Sequence, residues 1–560
     1  MGSRIGSALV VGALALAVSA QPARAGSHTG NRPVIGQFHH LVVLYEENHS
    51  FDNLYGMWGP VAGQRVDGLA KAPAARTLQR AQSGDVYGCL LQNDVNLKSP
   101  TPLPTTCMDP AHGAPASNFV NAPFVIDRFI PASATTCPPP GVFAPNGVLN
   151  GQGLPGGCTE DIVHRFYQEQ YQLDGGRQDR YVTGSDAVGL AMGVYDTTKL
   201  PIWQYLHARG APNYVIADHF FQGAFGGSFL NHQFLVAAQA PVDTSAGPGG
   251  AHAGLHSVVD ANGFPNTYPL YTPTGSVKDS RLTQACGASA VPGLACGDFA
   301  VNTIQPASQP TAGGDELPLI SDSVEPNIGD RLSAAGVSWA WYSGGWDNAA
   351  GNVNGRGWTN GTIPGTCTDP QHATGDVYPY CADALFQFHH QPFNYFANYA
   401  QGGKGRSHLQ DEADFQHAVK VGRLPAVSFV KPIGEENEHP GYASETSGSM
   451  HLVDLLKQIL SGPQAKDTLV LVTYDEFGGQ WDHVSPPGTG STTGPHDLFG
   501  PGTRIPALIV SAGLRESGVD HTVYDTTSIL ATIERGLHLK PLTSRDARVA
   551  DLRNVLRIGD

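Results

Sequence analysis

The 560 residues are 41% hydrophobic and 15% charged, a profile that provides for a large core and excludes a fibrous or broadly disordered chain. The net charge of −16, with no cluster of Lys and Arg, argues against nucleic acid or an anionic surface as the main partner. An anionic ligand would need a local positive centre, a metal ion or a group of histidines, to reverse the field at its site.

In chain order, Met1, Arg4, an Ala-rich apolar run from Ile5 to Val18 and the small-x-small pattern Ala23-Arg24-Ala25 read as a signal peptide, 1–25. The run is short for a membrane span, and no later segment is long enough either. The mature chain is therefore expected to be secreted or periplasmic, with no stable membrane span. The eight cysteines form no CxxC pair, which favours disulfides over zinc or redox chemistry in an oxidising compartment. Sequence neighbours, Cys286 with Cys296 and Cys367 with Cys381, are the expected partners.

The first strand is Phe38-His-His-Leu-Val-Val-Leu-Tyr45, which ends abruptly in Glu46-Glu-Asn-His-Ser-Phe-Asp52. Later, Asp467-Thr-Leu-Val-Leu-Val-Thr-Tyr474 repeats the design and ends in Asp475-Glu-Phe-Gly-Gly-Gln-Trp-Asp-His483. A third apolar run is Ile505 to Val510, and His451 to Leu460 reads as a covering helix. Near-continuous apolar strands suit a parallel sheet covered on both faces, so the fold class is α/β with a central, mostly parallel sheet. The Pro-, Gly- and Cys-rich stretches near 64–157 and 243–315 read as long loop insertions in one domain, 26–560.

Four groups could carry chemistry. Glu47 and Asn48, and then Asp475 and Glu476, leave the carboxyl ends of strands, where ligands bind in such sheets. Two acidic pairs there would repel each other unless a cation lay between them, and their hard oxygens suit Ca, Mg, Mn or Fe. Ser228 follows Gly226 and Gly227 and precedes Asn231, His232 and a helical run, so it stands where a helix start favours phosphate; the plain alternative is a helix N-cap. His164, His389, His390, His439 and His483 lie in polar loops and could donate to an anion or protonate a leaving group.

These residues resemble the phosphoesterase family that joins bacterial respiratory-burst-inhibiting acid phosphatases with non-haemolytic phospholipases C. The resemblance rests on Glu47-Asn48-His49-Ser50-Phe51-Asp52 and on Thr473 to His483, and runs from about residue 38 to residue 535. It implies an alkaline-phosphatase-like three-layer core, one divalent metal ion on Glu47, Asn48, Asp475, Glu476 and Ser228, and Ser228 as nucleophile. His164, His389, His390 and His439 would act on the phosphoryl oxygens or the leaving group, with Asn231 and His232 at the substrate. The implied substrates are small phosphate esters. Ser at the nucleophile position, and a sequence that stops soon after the helix near Thr526 to Gly536, favour the acid phosphatase branch. A phosphodiesterase acting on phosphocholine lipids and a non-catalytic secreted binding protein are the alternatives.

Overall fold

The computed structural model describes residues 32–90, 105–129, 132–133, 161–265, 279–302 and 317–558. The expected signal peptide, Cys137 and Cys158 lie outside them. An eight-stranded sheet organises the described residues. Its strands are β1 (His40–Glu46), β2 (Tyr214–Ala217), β3 (Trp339–Ser343) and β4 (Leu409–Asp411), then β5 (Val427–Lys431), β6 (Thr468–Tyr474), β7 (Ala507–Val510) and β8 (Gly518–Asp520). Their spatial order is β8-β2-β7-β6-β1-β5-β3-β4.

The two apolar runs expected to release acidic pairs are neighbours, β1 and β6, paired in parallel with Glu46 opposite Tyr474. On its other side β1 pairs in parallel with β5. These central strands are almost wholly buried, because both faces are covered. The helices α1 (Phe166–Leu173), α2 (Ser228–Ala237), α3 (Glu412–Val421), α4 (Glu445–Ser461) and α5 (Thr527–Leu537) supply much of that cover. Helix α3 packs against α4, and α2 against α5. Among the described residues no helix is long and apolar enough to cross a membrane.

The run at Ile505 was expected to add a parallel strand, but β7 runs antiparallel to both β6 and β2. A parallel neighbour needs a crossover. The chain between β6 and β7 contains no helix, so it turns back along the sheet edge instead. Consequently β7 begins, rather than ends, at the edge where β1 and β6 release their carboxylates. The expected disulfides Cys286–Cys296 and Cys367–Cys381 are present, together with Cys89–Cys107.

Candidate active site

Because β1 and β6 end level with each other, Glu47-Asn48 and Asp475-Glu476 emerge side by side. The amide of Asp475 donates to the Glu46 carbonyl at 3.1 Å, and the amide of Asn48 donates to Asp475 Oδ1 at 3.1 Å. Asn48 turns with a φ of 61°. The glycines after Glu476 let the second loop lie against this turn, since a Cβ on Gly478 would stand 2.1 Å from the Asn48 carbonyl oxygen.

Ser228 is the first residue of α2; the cap position belongs to Gly227, and no side chain caps the helix. The N-cap reading of this serine therefore fails. Its hydroxyl donates instead to Glu47 Oε2 at 3.2 Å, and the residue is 4% exposed. The turn ahead of it needs Gly226, whose φ is 87° and whose missing Cβ would sit 2.7 Å from the Phe166 nitrogen.

Around this pair the structure gathers Asn48, Asp475 and Glu476 and four of the five candidate histidines, His164, His389, His390 and His439. Asn48 Oδ1, Asp475 Oδ2 and Glu476 Oε1 are buried without a hydrogen-bond partner. Burial, with Glu47 beside it, pushes the Asp475 carboxyl up to about 8, and burial and Asp475 hold Glu476 well above the carboxylate range. Buried oxygens without donors, on carboxyls that resist ionising, are the donor set a hard divalent cation satisfies. The residues present fit such an ion.

His164 lies with Nε2 3.6 Å from Glu476 Oε1 and donates its Nδ1–H to the Ile162 carbonyl at 2.6 Å. His390 places Nε2 3.0 Å from Glu47 Oε1 and stacks parallel to His232, ring centroids 5.0 Å apart. His389 packs on His390 at 4.4 Å. His439 turns its Nε2 to Asn48 Nδ2 at 3.0 Å, with Nδ1 on the Pro440 carbonyl at 2.8 Å. That pairing requires the Nδ1–H tautomer and leaves Asn48 Oδ1 without a hydrogen-bond partner. Burial, reinforced by neighbouring cations and imidazoles, holds His232, His389, His390 and His439 well below the usual imidazole range, so they stay neutral. His164, at 18% side-chain exposure, is the histidine of the site with the most access to solvent.

Two expectations change. Asn231 was expected at the substrate, but its amide is committed to the loop that leads into Ser228: Oδ1 accepts from Ala224 at 2.9 Å, and Nδ2 donates to the carbonyls of Gly226 and Gly227 at 3.1 and 3.2 Å. It holds the turn. His483 also stands outside the site, with Nδ1 2.5 Å from Asp52 Oδ2. There the buried Arg504, at the entry to β7, joins the two motifs: its Nε donates to both oxygens of Asp482 at 3.1 Å, and its Nη2 to Asp52 Oδ1 at 3.1 Å.

Sequence reasoning missed Lys431 and Glu169. Lys431 ends β5, is fully buried, and bonds Glu47 Oε1; an apolar strand ending in one polar residue was its only signal. Glu169, on α1, accepts from the amides of Gly226 and Thr503. Nothing in its local sequence marks it.

The chain is 35% identical over 170 residues to phospholipase C B of Mycobacterium tuberculosis, covering 26% of this chain and 32% of that protein, so the match spans about a third of that relative. It is 23% identical over 551 residues to phospholipase C A of the same organism, covering 93% of this chain and 77% of that one. A solved protein of the alkaline phosphatase superfamily from Vibrio parahaemolyticus is 12% identical with a TM-score of 0.21, over 40% of this chain and 50% of that one. Residues 38–540, which carry both acidic motifs and the Gly-Gly-Ser turn, match the Phosphoesterase family, and the chain belongs to it.

Proposed function

We propose that this chain is an exported, metal-dependent phosphoesterase that hydrolyses small phosphate monoesters through a phosphoserine at Ser228, in one domain, 26–560, with insertions near 64–157 and 243–315. The observation that carries the reading is the placement of a buried serine hydroxyl, 3.2 Å from Glu47 Oε2, at the start of a helix beside three unpartnered ligand oxygens.

Glu47, Asn48, Asp475 and Glu476 would hold a divalent ion, Ca, Mg, Mn or Fe, with the Ser228 oxygen. Such an ion lowers the pKa of a hydroxyl and draws charge off phosphoryl oxygens. Glu47 orients the Ser228 hydroxyl, and Asn231 fixes the turn that presents it. Ser228 passes its proton to Glu47 Oε2 as its oxygen attacks phosphorus and the ester oxygen departs; water then attacks the phosphoserine, the Ser228 oxygen takes the proton back as its bond to phosphorus breaks, and phosphate is released. The free N–H groups at the start of α2 and the neutral imidazoles of His389 and His390 face the transferred group, and His164, with its access to solvent, protonates the departing oxygen. His439 orients Asn48. Three disulfides among the described residues support export, and N-terminal sequencing of the secreted protein tests cleavage after Ala25.

The test is hydrolysis of para-nitrophenyl phosphate against para-nitrophenyl phosphorylcholine by wild type and Ser228→Ala. A monoester preference that the variant loses supports the reading, and wild-type-like turnover by folded Ser228→Ala sinks it. The names of the two mycobacterial relatives favour a second reading, a phospholipase C-like diesterase acting on phosphocholine lipids. A preference for the choline diester decides for that one. Inactivity on both would leave a non-catalytic binding protein.

A further inference from the structure

Lys431 is the only buried lysine among the described residues. An ammonium taken out of water costs several kcal/mol unless it is paired and hydrogen-bonded, so its partners show what keeps it there. Nζ bonds Glu47 Oε1, donates to the Glu46 carbonyl at 3.2 Å, and lies 5.4 Å from the centre of the Tyr45 ring. The pairing divides the two oxygens of Glu47: Oε1 is held by Lys431, while Oε2 faces the Ser228 hydroxyl.

Charge balance gives this contact a further meaning. Glu47, Asp475 and Glu476 together contribute three carboxylates, and all three are fully buried. One divalent ion leaves one negative charge over, and a phosphate anion would then approach a site of its own sign inside a protein of net charge −16. The Lys431 ammonium, bonded to Glu47 Oε1, is placed to make up the difference.

We propose that Lys431 is a positioning residue that does the electrostatic work of a second cation: it fixes the rotamer of Glu47 toward Ser228 and leaves the site neutral when a single divalent ion is bound, so that an anionic ester is admitted. This rests on the metal-dependent reading above.

The role separates from simple packing because it sends two binding constants in opposite directions. In Lys431→Met the site becomes more negative. Calorimetric titration of the chelator-stripped protein with Mn²⁺ should show binding tightened by about tenfold or more, and competitive inhibition by inorganic phosphate should weaken by about tenfold or more, the scale of a unit charge acting over a few ångströms near a protein surface. A residue that merely filled space would weaken both together. Lys431→Arg keeps the positive charge against Glu47 and covers the case in which Lys431→Met does not fold. Its Mn²⁺ and phosphate constants should lie within about threefold of wild type. Loss of Mn²⁺ binding in a folded Lys431→Met protein, or phosphate inhibition in a folded Lys431→Arg protein more than tenfold weaker than wild type, overturns the role of Lys431. Wild type that takes up no Mn²⁺ overturns the metal-dependent reading itself, and this inference with it.

Discussion

The Glu169 carboxylate accepts the amide of Gly226 at 2.5 Å through the same oxygen that takes the Gln222 side-chain amide at 2.9 Å. Its other oxygen accepts the amide and hydroxyl of Thr503 at 2.7 and 2.8 Å. One buried carboxylate on α1 thus ties the turn before Ser228 to the segment that leads into β7. Glu169→Gln would turn an N–H₂ group toward donors. It is expected to lower kcat by about 10²-fold, the scale of a misplaced reacting group, with a smaller change in KM. Steady-state kinetics checks this, with circular dichroism to confirm the fold.

Gly226→Ala meets two obstacles, a φ of 87° and backbone atoms of Phe166 within 3 Å of the new Cβ. The left-handed conformation alone costs a non-glycine residue roughly 1–2 kcal/mol, and the contact with backbone adds to it. Urea unfolding should show a loss of at least about 1 kcal/mol, with activity falling further than stability because the turn carries Ser228.

The lock between the two motifs makes stability depend on pH. Burial works against a charged His483, but the adjacent Asp52 outweighs it and pushes the imidazole up to about 9. The unfolded value is about 6.5. A raised folded value means that the folded state holds the proton more tightly. The stabilisation is therefore fully present below about 6.5 and is lost as pH rises through about 9. The difference in Tm between wild type and His483→Gln is expected to be largest near pH 6 and to shrink steadily toward pH 9.5.

Removing the proposed ion should be visible without any substrate. An ion that binds the folded state alone at a hundred times its Kd adds about 2.7 kcal/mol. Chelation should therefore lower the Tm of the wild type and Mn²⁺ should restore it. Asp475→Asn should show a much smaller shift. An equal Mn²⁺ shift in wild type and Asp475→Asn would place the ion elsewhere.

Where the sequence was legible, the chemistry was local. Apolar strands that stop at Glu47 and at Asp475 announce themselves, and so does a serine behind two glycines. What it did not disclose depends on partners far along the chain. Asn231 could have faced a substrate or its own loop, and only folding aims its amide at Gly226 and Gly227. Lys431 closes an ordinary apolar strand, and becomes notable only when β5 lies beside β1. The direction of β7 is not written in its apolar residues; the helix-free connection before it was the available clue. Strand order, which decides that β1 and β6 are neighbours, has no signature in either strand.

That order has a cost during synthesis. β1 pairs with β5 and β6, whose residues begin at Val427 and Thr468. An emerging chain therefore carries Leu-Val-Val-Leu-Tyr, an open-edged apolar strand, until about three quarters of the 560 residues have been made. Non-local pairing of this kind folds slowly and leaves unpaired edges exposed to other chains. Fragments that stop short of β5 should aggregate rather than fold, and β1, made long before its partners, should be among the last strands to find its place.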